Sequence, residues 1–233
     1  MTLGARTIGV LGGMGPEATI LLQRKVMDAV SASDDSDHIP LLIDMNPQVP
    51  SRIAHLVEGT GEDPGPTLGA MARRLEAAGC AGLAMPCNTA HSYADAITGA
   101  VSIPLLNMID LAALHAKKKV GKGGCVGILA SPAVQQTRLF ERALEPHGIT
   151  VMWPEDGAAM LAAIRLIKAE GPTPASREAL TLASSELVAA GASVQFIACS
   201  EFSLIADSVA KDADATDTVD LLAQAIVDFA TIE

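Results

Sequence analysis

Short apolar runs alternate with longer segments of helical periodicity along this chain, and that alternation restricts the fold more than any other feature. The runs are Thr7–Leu11, Pro40–Met45, Gly82–Met85, Ile103–Leu106, Cys125–Leu129, Thr150–Trp153 and Val194–Ala198. Helical patterns cover Glu17–Ser31, Leu68–Ala78, Met108–Lys118, Gln135–Glu145, Met160–Ala169 and Ala175–Ala190. A final one covers Thr218–Thr231, with Asp217 placed as its N-cap. Runs that are apolar at nearly every position suit strands buried on both faces, and intervening helices make such a sheet parallel. The expected fold class is therefore α/β. Aromatic residues are only 3% of the chain, so its core must be built from aliphatic side chains.

The chain also repeats itself. Ile8-Gly9-Val10-Leu11 aligns with Val126-Gly127-Ile128-Leu129, and the match continues from Thr19 to Thr137, Leu21 to Leu139 and Arg24 to Arg142. Further on, Ala78-Gly79 precedes Cys87 as Ala190-Gly191 precedes Cys199, with the same spacing. A period this long is not that of a solenoid. It predicts two similar α/β lobes: residues 1–113 with 213–233, and residues 114–212. Related by a pseudo-twofold axis, the lobes would carry Cys87 and Cys199 at equivalent positions, each at the carboxyl end of a parallel strand. Ligands of open α/β sheets bind at those ends. If the lobes face each other, the two thiols would line opposite walls of one cleft.

Charge and composition narrow the function. The 233 residues hold 49% hydrophobic and 18% charged side chains, which excludes a disordered chain. A net charge of −11 argues against a nucleic-acid binder or an anionic-membrane binder, since both need a basic face. It leaves room for a small acidic substrate, because one or two local cations outweigh a distant field screened over about 8 Å. The longest apolar runs fall short of the roughly 18 residues of a membrane span. The apolar start at Ile8–Leu11 is short and glycine-rich and reads as a strand, so a cytoplasmic location is expected. The cysteines, Cys80, Cys87, Cys125 and Cys199, include no C-x-x-C pair and no metal-binding set, and no disulfide staple is needed at this length.

Two thiols on opposite sides of a small molecule suit one task well. One removes a proton from a stereocentre and the other delivers a proton to the opposite face. Such a pair needs one thiolate and one thiol. A thiol pKa near 8.5 can fall at a helix N-terminus, which would help to form the thiolate. The flanking residues supply polar groups: Pro86-Cys87-Asn88-Thr89-Ala90-His91 and Ala198-Cys199-Ser200-Glu201. Asn88, Thr89 and Ser200 can bind a substrate carboxylate or serve as ordinary N-caps. Glu201 can receive an ammonium group. His91, one helical turn after Cys87, either pairs with the thiol, orients a ligand or is structural. Gly12-Gly13-Met14-Gly15-Pro16 turns tightly after the first strand. It is not a clean dinucleotide-binding motif, and only Asp44 offers itself as that motif's acidic partner. The lip of a substrate cleft, with Met14 on it, is the preferred reading. Arg52 after the second strand can clamp a carboxylate bidentately. Lys168, at the end of the Met160–Ala169 helix, is a further cation. Both are otherwise surface charges.

Gly-Gly-Met-Gly-Pro, Asn46-Pro47-Gln48-Val49-Pro50-Ser51-Arg52, Pro86-Cys87-Asn88-Thr89-Ala90-His91 and Cys199-Ser200-Glu201, in this order and over nearly the whole chain, resemble the aspartate/glutamate racemase superfamily. The nearest branch is the cofactor-independent aspartate racemases. The resemblance implies two Rossmann-like lobes with the active site between them, an isomerase without pyridoxal phosphate or other cofactor, no metal, and a homodimer. It implies catalytic roles for Cys87 and Cys199. It implies substrate contacts from Met14, Asn88, Thr89, Ser131 and Ser200, from Arg52 to the distal carboxylate, and from Lys168 and Glu201. Ser200-Glu201-Phe202 stands where glutamate racemases usually carry histidine, which favours the aspartate-type branch. Two departures stand out. Ala198-Cys199-Ser200-Glu201 replaces the usual Gly-Cys-Thr-Glu, and Ala130-Ser131-Pro132-Ala133-Val134 replaces Ala-Thr-x-Gly-Thr. The second removes a glycine and a hydroxyl and bears on aspartate specificity. Maleate isomerisation or hydantoin racemisation on the same scaffold, and a non-catalytic protein that binds an acidic amino acid, remain alternatives.

Overall fold

The computed structural model of the chain describes residues 5–231. In chain order the elements begin with β1 (Ile8–Gly12), α1 (Pro16–Asp28), β2 (Leu41–Met45), α2 (Gly65–Ala77), β3 (Gly82–Ala84), α3 (Ala94–Thr98) and β4 (Leu105–Leu106). There follow α4 (Met108–Lys119), β5 (Cys125–Leu129), α5 (Pro132–Thr137), α6 (Leu139–Leu144), β6 (Thr150–Met152), α7 (Gly157–Glu170) and α8 (Pro174–Ala189). The chain ends with β7 (Val194–Ile197), α9 (Ser200–Ser203), β8 (Ala215–Asp217) and α10 (Thr218–Thr231). The strands form two four-stranded sheets, ordered β2-β1-β3-β4 and β6-β5-β7-β8. Every pairing is parallel. The internal repeat thus appears as one strand order used twice.

The matched glycines show why the repeat is written as it is. A Cβ on Gly9 would lie 3.0 Å from Cβ of Leu75 and 3.1 Å from Sγ of Cys80. A Cβ on Gly127 would lie 2.9 Å from Leu187 Cδ1 and 3.2 Å from Ala192 Cβ. In each sheet the central strand therefore takes a glycine where a helix crosses closest. Gly79 and Gly191, just past α2 and α8, both adopt φ +90°. This left-handed region suits the C-terminal turn of a helix and is open to glycine at little cost. Around these positions the core is aliphatic: Ile8, Val10, Leu11, Leu68 and Leu83 in the first sheet's layers, and Val126, Ile128, Leu129 and Leu180 in the second's, are all fully buried. Each such side chain contributes roughly 1.5–3 kcal/mol by leaving water.

The chain divides into two compact units, Met1–Met108 with Val219–Glu233, and Ile109–Thr218. Both boundaries differ from those expected at residues 113 and 212. The first falls at the start of α4, so that helix goes almost whole to the second unit. The second falls after β8, a strand with no apolar run to announce it, which pairs Gln195–Ala215, Phe196–Thr216 and Ile197–Asp217 and completes the second sheet. Helix α10 then returns to the first unit, where Phe229 lies against Gly82 and Ala230 accepts a hydrogen bond from the Arg6 N–H.

One expected helix is interrupted. Residues 135–145 form the end of α5, a break at Arg138 with φ +53°, and α6. The break lets Phe140 enter the core beside Phe196, with ring centroids 6.2 Å apart. The lysine run Lys117–Lys119 ends α4, where cations suit the helix dipole, and Lys119 is paired there with Asp214. No helix among the described residues is long and apolar enough to cross a membrane.

Candidate functional site

Within the first unit, the candidate residues gather at the carboxyl end of the parallel sheet. β1 pairs with β2 at Gly12–Met45 and with β3 at Val10–Ala84. The loops leaving these three strands carry Gly13–Pro16, Asn46–Arg52 and Pro86–Thr89. Cys87, 7% exposed, shares one buried cluster with Leu11, Met14, Val49 and Ala90. Asn88 is buried and Thr89 half-buried. A single 3₁₀ turn, Thr89–Tyr93, follows the cysteine. Its carbonyl is tied twice, to the Ala90 N–H at 3.2 Å and to Nδ1 of His91 at 2.9 Å.

The glycine-rich loop is shaped by its neighbours. Gly13 has φ +92°, and a Cβ there would fall 2.4 Å from the backbone carbon of Asn46. A Cβ on Gly12 would fall 2.6 Å from Cγ2 of Thr19. The Thr19 hydroxyl accepts from the Gly13 N–H at 3.0 Å and donates to the Gly15 carbonyl at 3.0 Å, so α1 anchors the loop that precedes it. Nothing but its place in the repeat points to Thr19 in the sequence. Asp44 is held by Arg74 of α2, at 3.0 Å from Nε and 2.6 Å from Nη2. This ion pair accounts for the one carboxylate that a dinucleotide site would have used.

Arg52 is half-buried and leans along its own loop. Its Nη1 donates to the carbonyls of Val49 at 3.2 Å and Pro50 at 3.0 Å. Among the described residues no carboxylate forms an ion pair with it. Nearby, the ring of His55 meets Tyr93 edge to face at 5.8 Å. Burial, with the charge of Asp63, pushes the Tyr93 phenol up to about 12, while Arg52 pulls it the other way.

The second unit repeats this arrangement with different side chains. β5 and β7 pair at Leu129–Ile197, so Ser131 and Cys199 leave neighbouring strands at the same end of the sheet. Ser131, 4% exposed, begins α5, and its carbonyl accepts the Val134 N–H at 3.0 Å. Cys199 precedes the four-residue α9, and Ser200 is buried within that turn. Sγ of Cys199 donates to Oε2 of Glu201 at 3.1 Å. Nζ of Lys168, from the last turn of α7, lies 2.7 Å from Oε1 of the same carboxylate.

The sequence suggests Glu201 and Lys168 as substrate contacts; here they pair with each other, and Glu201 also accepts the thiol of Cys199. The sequence also suggests that a helix start lowers a thiol's pKa, and Cys199 corrects that expectation. At Cys199 burial raises the pKa well above the usual thiol range, and the charge and side-chain hydrogen bond of the Glu201 carboxylate add to the rise, while the Glu201 backbone N–H and, after it, the charge of Lys168 pull the other way. A four-residue helix carries too little dipole to offset that. Among the described residues no group of three or more His, Cys, Asp or Glu is placed to hold a metal ion.

Two parallel sheets of the same strand order, each with a cysteine and polar side chains just beyond its carboxyl end, define an α/β protein with a repeated candidate site. The chain belongs to the Asp/Glu/hydantoin racemase family, whose sequence profile matches residues 11–226. It is thus an isomerase of the amino-acid racemase class. It is similar to the broad specificity amino-acid racemase RacX of Bacillus subtilis (strain 168), with 26% identity over 228 residues, covering 94% of this chain and 96% of that protein. Among solved structures it resembles the aspartate racemase of Picrophilus torridus, with TM-score 0.86 and 26% identity over 97% of this chain and 94% of that one. An aspartate racemase homologue from Pyrococcus horikoshii OT3 shares the fold at TM-score 0.75 and 21% identity, over 97% of this chain and 100% of that one.

Proposed function

We propose that this racemase inverts the α-carbon of an acidic amino acid, aspartate or glutamate, without a cofactor, and that Cys87 and Cys199 are its two bases. The observation that supports this reading best is the equivalence of the two thiols. Each follows the third strand of its own repeat, β3 or β7, and each is followed at once by polar side chains: Asn88 and Thr89 in one case, Ser200 and Glu201 in the other. In the proposed reaction one thiolate takes the α-proton, breaking the Cα–H bond and leaving the electron pair on carbon. The other cysteine gives up its S–H proton to the opposite face and keeps the sulfur electron pair. The pair ends with its protonation reversed, which lets the same site run in the other direction. Asn88, Thr89, Ser131 and Ser200 would hold the α-carboxylate and amino group, with Met14 against the substrate. Hydrogen bonds to the carboxylate stabilise the charge that spreads into it as the proton leaves.

Arg52 is the cation we assign to the distal carboxylate. A guanidinium that anchors one nitrogen on its own loop is oriented in advance for a bidentate partner. We further propose that the enzyme works as a cytoplasmic homodimer, as its family resemblance implies. The test is α-hydrogen exchange in heavy water, followed by proton NMR and chiral separation, with cofactor-free protein under reducing conditions. L- and D-aspartate, L- and D-glutamate and a set of neutral amino acids are the substrates. Loss of the α-proton with appearance of the opposite enantiomer, fastest for a diacid, is the expected result. Exchange that is fastest for neutral amino acids would favour the broad substrate range named for the Bacillus subtilis relative. Folded protein that exchanges none of them would overturn the reading.

A further inference from the structure

The carboxylate of Glu201 has a neighbour at each oxygen within its own unit. Oε2 accepts the thiol of Cys199 at 3.1 Å, and Oε1 lies 2.7 Å from the ammonium Nζ of Lys168 as an ion pair without hydrogen-bond geometry. The Glu201 side chain is 9% exposed and Lys168 40% exposed, so the chain of contacts runs from the surface to a buried sulfur. A carboxylate and a thiolate at that distance would face each other with no proton between them, in surroundings formed by Met160, Ile164, Ile167, Ile197 and Phe202. The S–H form removes the conflict, because the thiol then donates. Asp217, paired with Ile197 at the end of β8, takes the hydroxyl of Ser203 at 2.8 Å.

We propose that Glu201, charge-balanced by Lys168, is a positioning residue that keeps Cys199 a thiol in the free enzyme, so that Cys199 rests as the proton donor and Cys87 as the proton acceptor. This rests on the two-cysteine reading above and deepens it. The free enzyme is then poised to deprotonate one enantiomer through Cys87. When Cys199 has delivered its proton, its thiolate stands beside Glu201. Lys168 makes that state accessible by offsetting the carboxylate's charge. The pair therefore sets how evenly the two forms of the enzyme are populated, and with them the two directions of turnover.

The direction in which the Cys199 thiol is displaced agrees: burial raises its pKa first, the Glu201 carboxylate raises it further, and the Glu201 backbone N–H and the charge of Lys168 lower it. The two partners act on the sulfur with opposite sign, and this separates the proposal from a merely structural role. Wild type, Glu201→Gln and Lys168→Gln would be alkylated with iodoacetamide from about pH 6 to about pH 10, and labelling at each cysteine followed by peptide mass spectrometry. Glu201→Gln removes a charge that opposes the thiolate, so Cys199 labelling should move to lower pH. At a pH below the midpoint it should run roughly tenfold faster if the thiol becomes tenfold more acidic. Lys168→Gln leaves the carboxylate uncompensated, so Cys199 labelling should move to higher pH and slow. Labelling of Cys87 should keep its wild-type profile in both. Movement of the Cys199 profile in the same direction in the two variants, or in neither, would overturn the role. Lys168 is partly exposed at a helix end, so its variant is expected to fold, and slowed labelling there decides the matter if Glu201→Gln does not fold. Labelling reads the thiol and not turnover, so failure of this role and absence of racemisation leave different signatures.

Discussion

Nδ1 of His91 lies 2.9 Å from the carbonyl oxygen of Cys87, one turn back along the chain. A carbonyl can only accept, so Nδ1 carries the hydrogen. Nε2 in turn accepts the N–H of Met108, at 3.1 Å. The buried ring is therefore neutral, has both nitrogens satisfied, and ties the turn after Cys87 to the start of α4. His91 is a support for the cysteine loop.

Stability should consequently depend on acid. Burial lowers the His91 pKa from 6.5 to about 4. A group whose folded pKa is depressed contributes stability that is complete above the unfolded value and is lost as pH falls through the folded one. The loss should set in below pH 6.5 and reach about 3 kcal/mol near pH 4. Urea unfolding across that range measures it. His91→Gln should be less stable at neutral pH but show a flatter pH dependence. An unchanged acid slope in that variant would assign the loss to other groups.

Gly13→Ala should damage both stability and the loop. With φ +92° and a Cβ position 2.4 Å from the Asn46 backbone, alanine is strained and also clashes with atoms that cannot rotate away. The cost should be about 2–4 kcal/mol, more than backbone strain alone. Gly59→Ala is the control: its φ is also positive, +66°, but nothing lies within 4 Å of its Cβ. Thermal unfolding should rank Gly13→Ala well below Gly59→Ala.

What could be read from sequence, and what could not, follows from how local each signal is. The apolar runs from Ile8 and from Cys125 are strands because every position is buried or nearly so, and that requirement shows in the residues themselves. Gly9 and Gly127 carry a packing constraint that survives as a matched pair. Cys87 and Cys199 were legible as residues just beyond a strand for the same reason. β8 was not: Ala215-Thr216-Asp217 has no apolar run and is a strand because β7 offers it an open edge. The break at Arg138 serves the burial of Phe140, a tertiary demand with no local mark. The grip of Lys168 on Glu201 joins α7 to α9 and depends on the packing of two helices. Their charges were visible in sequence, but their partnership was not.

Gln195 shows the same limit inside a strand read as apolar. Its amide is 1% exposed, accepts from the Ser184 hydroxyl at 2.7 Å and donates to the Ser184 carbonyl at 2.8 Å, while Ser184 Oγ accepts the Ala210 N–H at 3.0 Å. The network fixes α8 and the segment before β8 onto β7. Gln195→Leu should cost about 1–3 kcal/mol, because it strands buried polar groups of Ser184. Adding Ser184→Ala to it should cost less than the two single losses summed, since the partners are already parted. Additive losses in denaturant unfolding would mean that the pair is not coupled.

Arg52→Ala tests the assignment of the distal carboxylate. A charge-assisted, bidentate contact is worth about 2–3 kcal/mol, so the KM for a diacid should rise roughly 30- to 150-fold. The KM for a neutral amino acid should change little. Equal losses for both substrate types would mean that Arg52 shapes its loop through the Val49 and Pro50 carbonyls and does not select substrate.

Removing either thiol tests the two-base chemistry itself. Serine is nearly isosteric with cysteine but far less acidic, so Cys87→Ser and Cys199→Ser should each lose about 10²–10⁴-fold in two-way racemisation while remaining folded. The two variants should differ in the stereochemistry of their residual reaction. Each retains a single working base, so each should still exchange the α-hydrogen of one enantiomer with solvent, and the favoured enantiomer should differ between them. Stereospecific exchange, read by proton NMR of each pure enantiomer in heavy water, separates this from general damage, which would slow both enantiomers alike. Near-wild-type racemisation in both variants would defeat the mechanism, and exchange of the same enantiomer by both would place the two thiols on one face of the substrate.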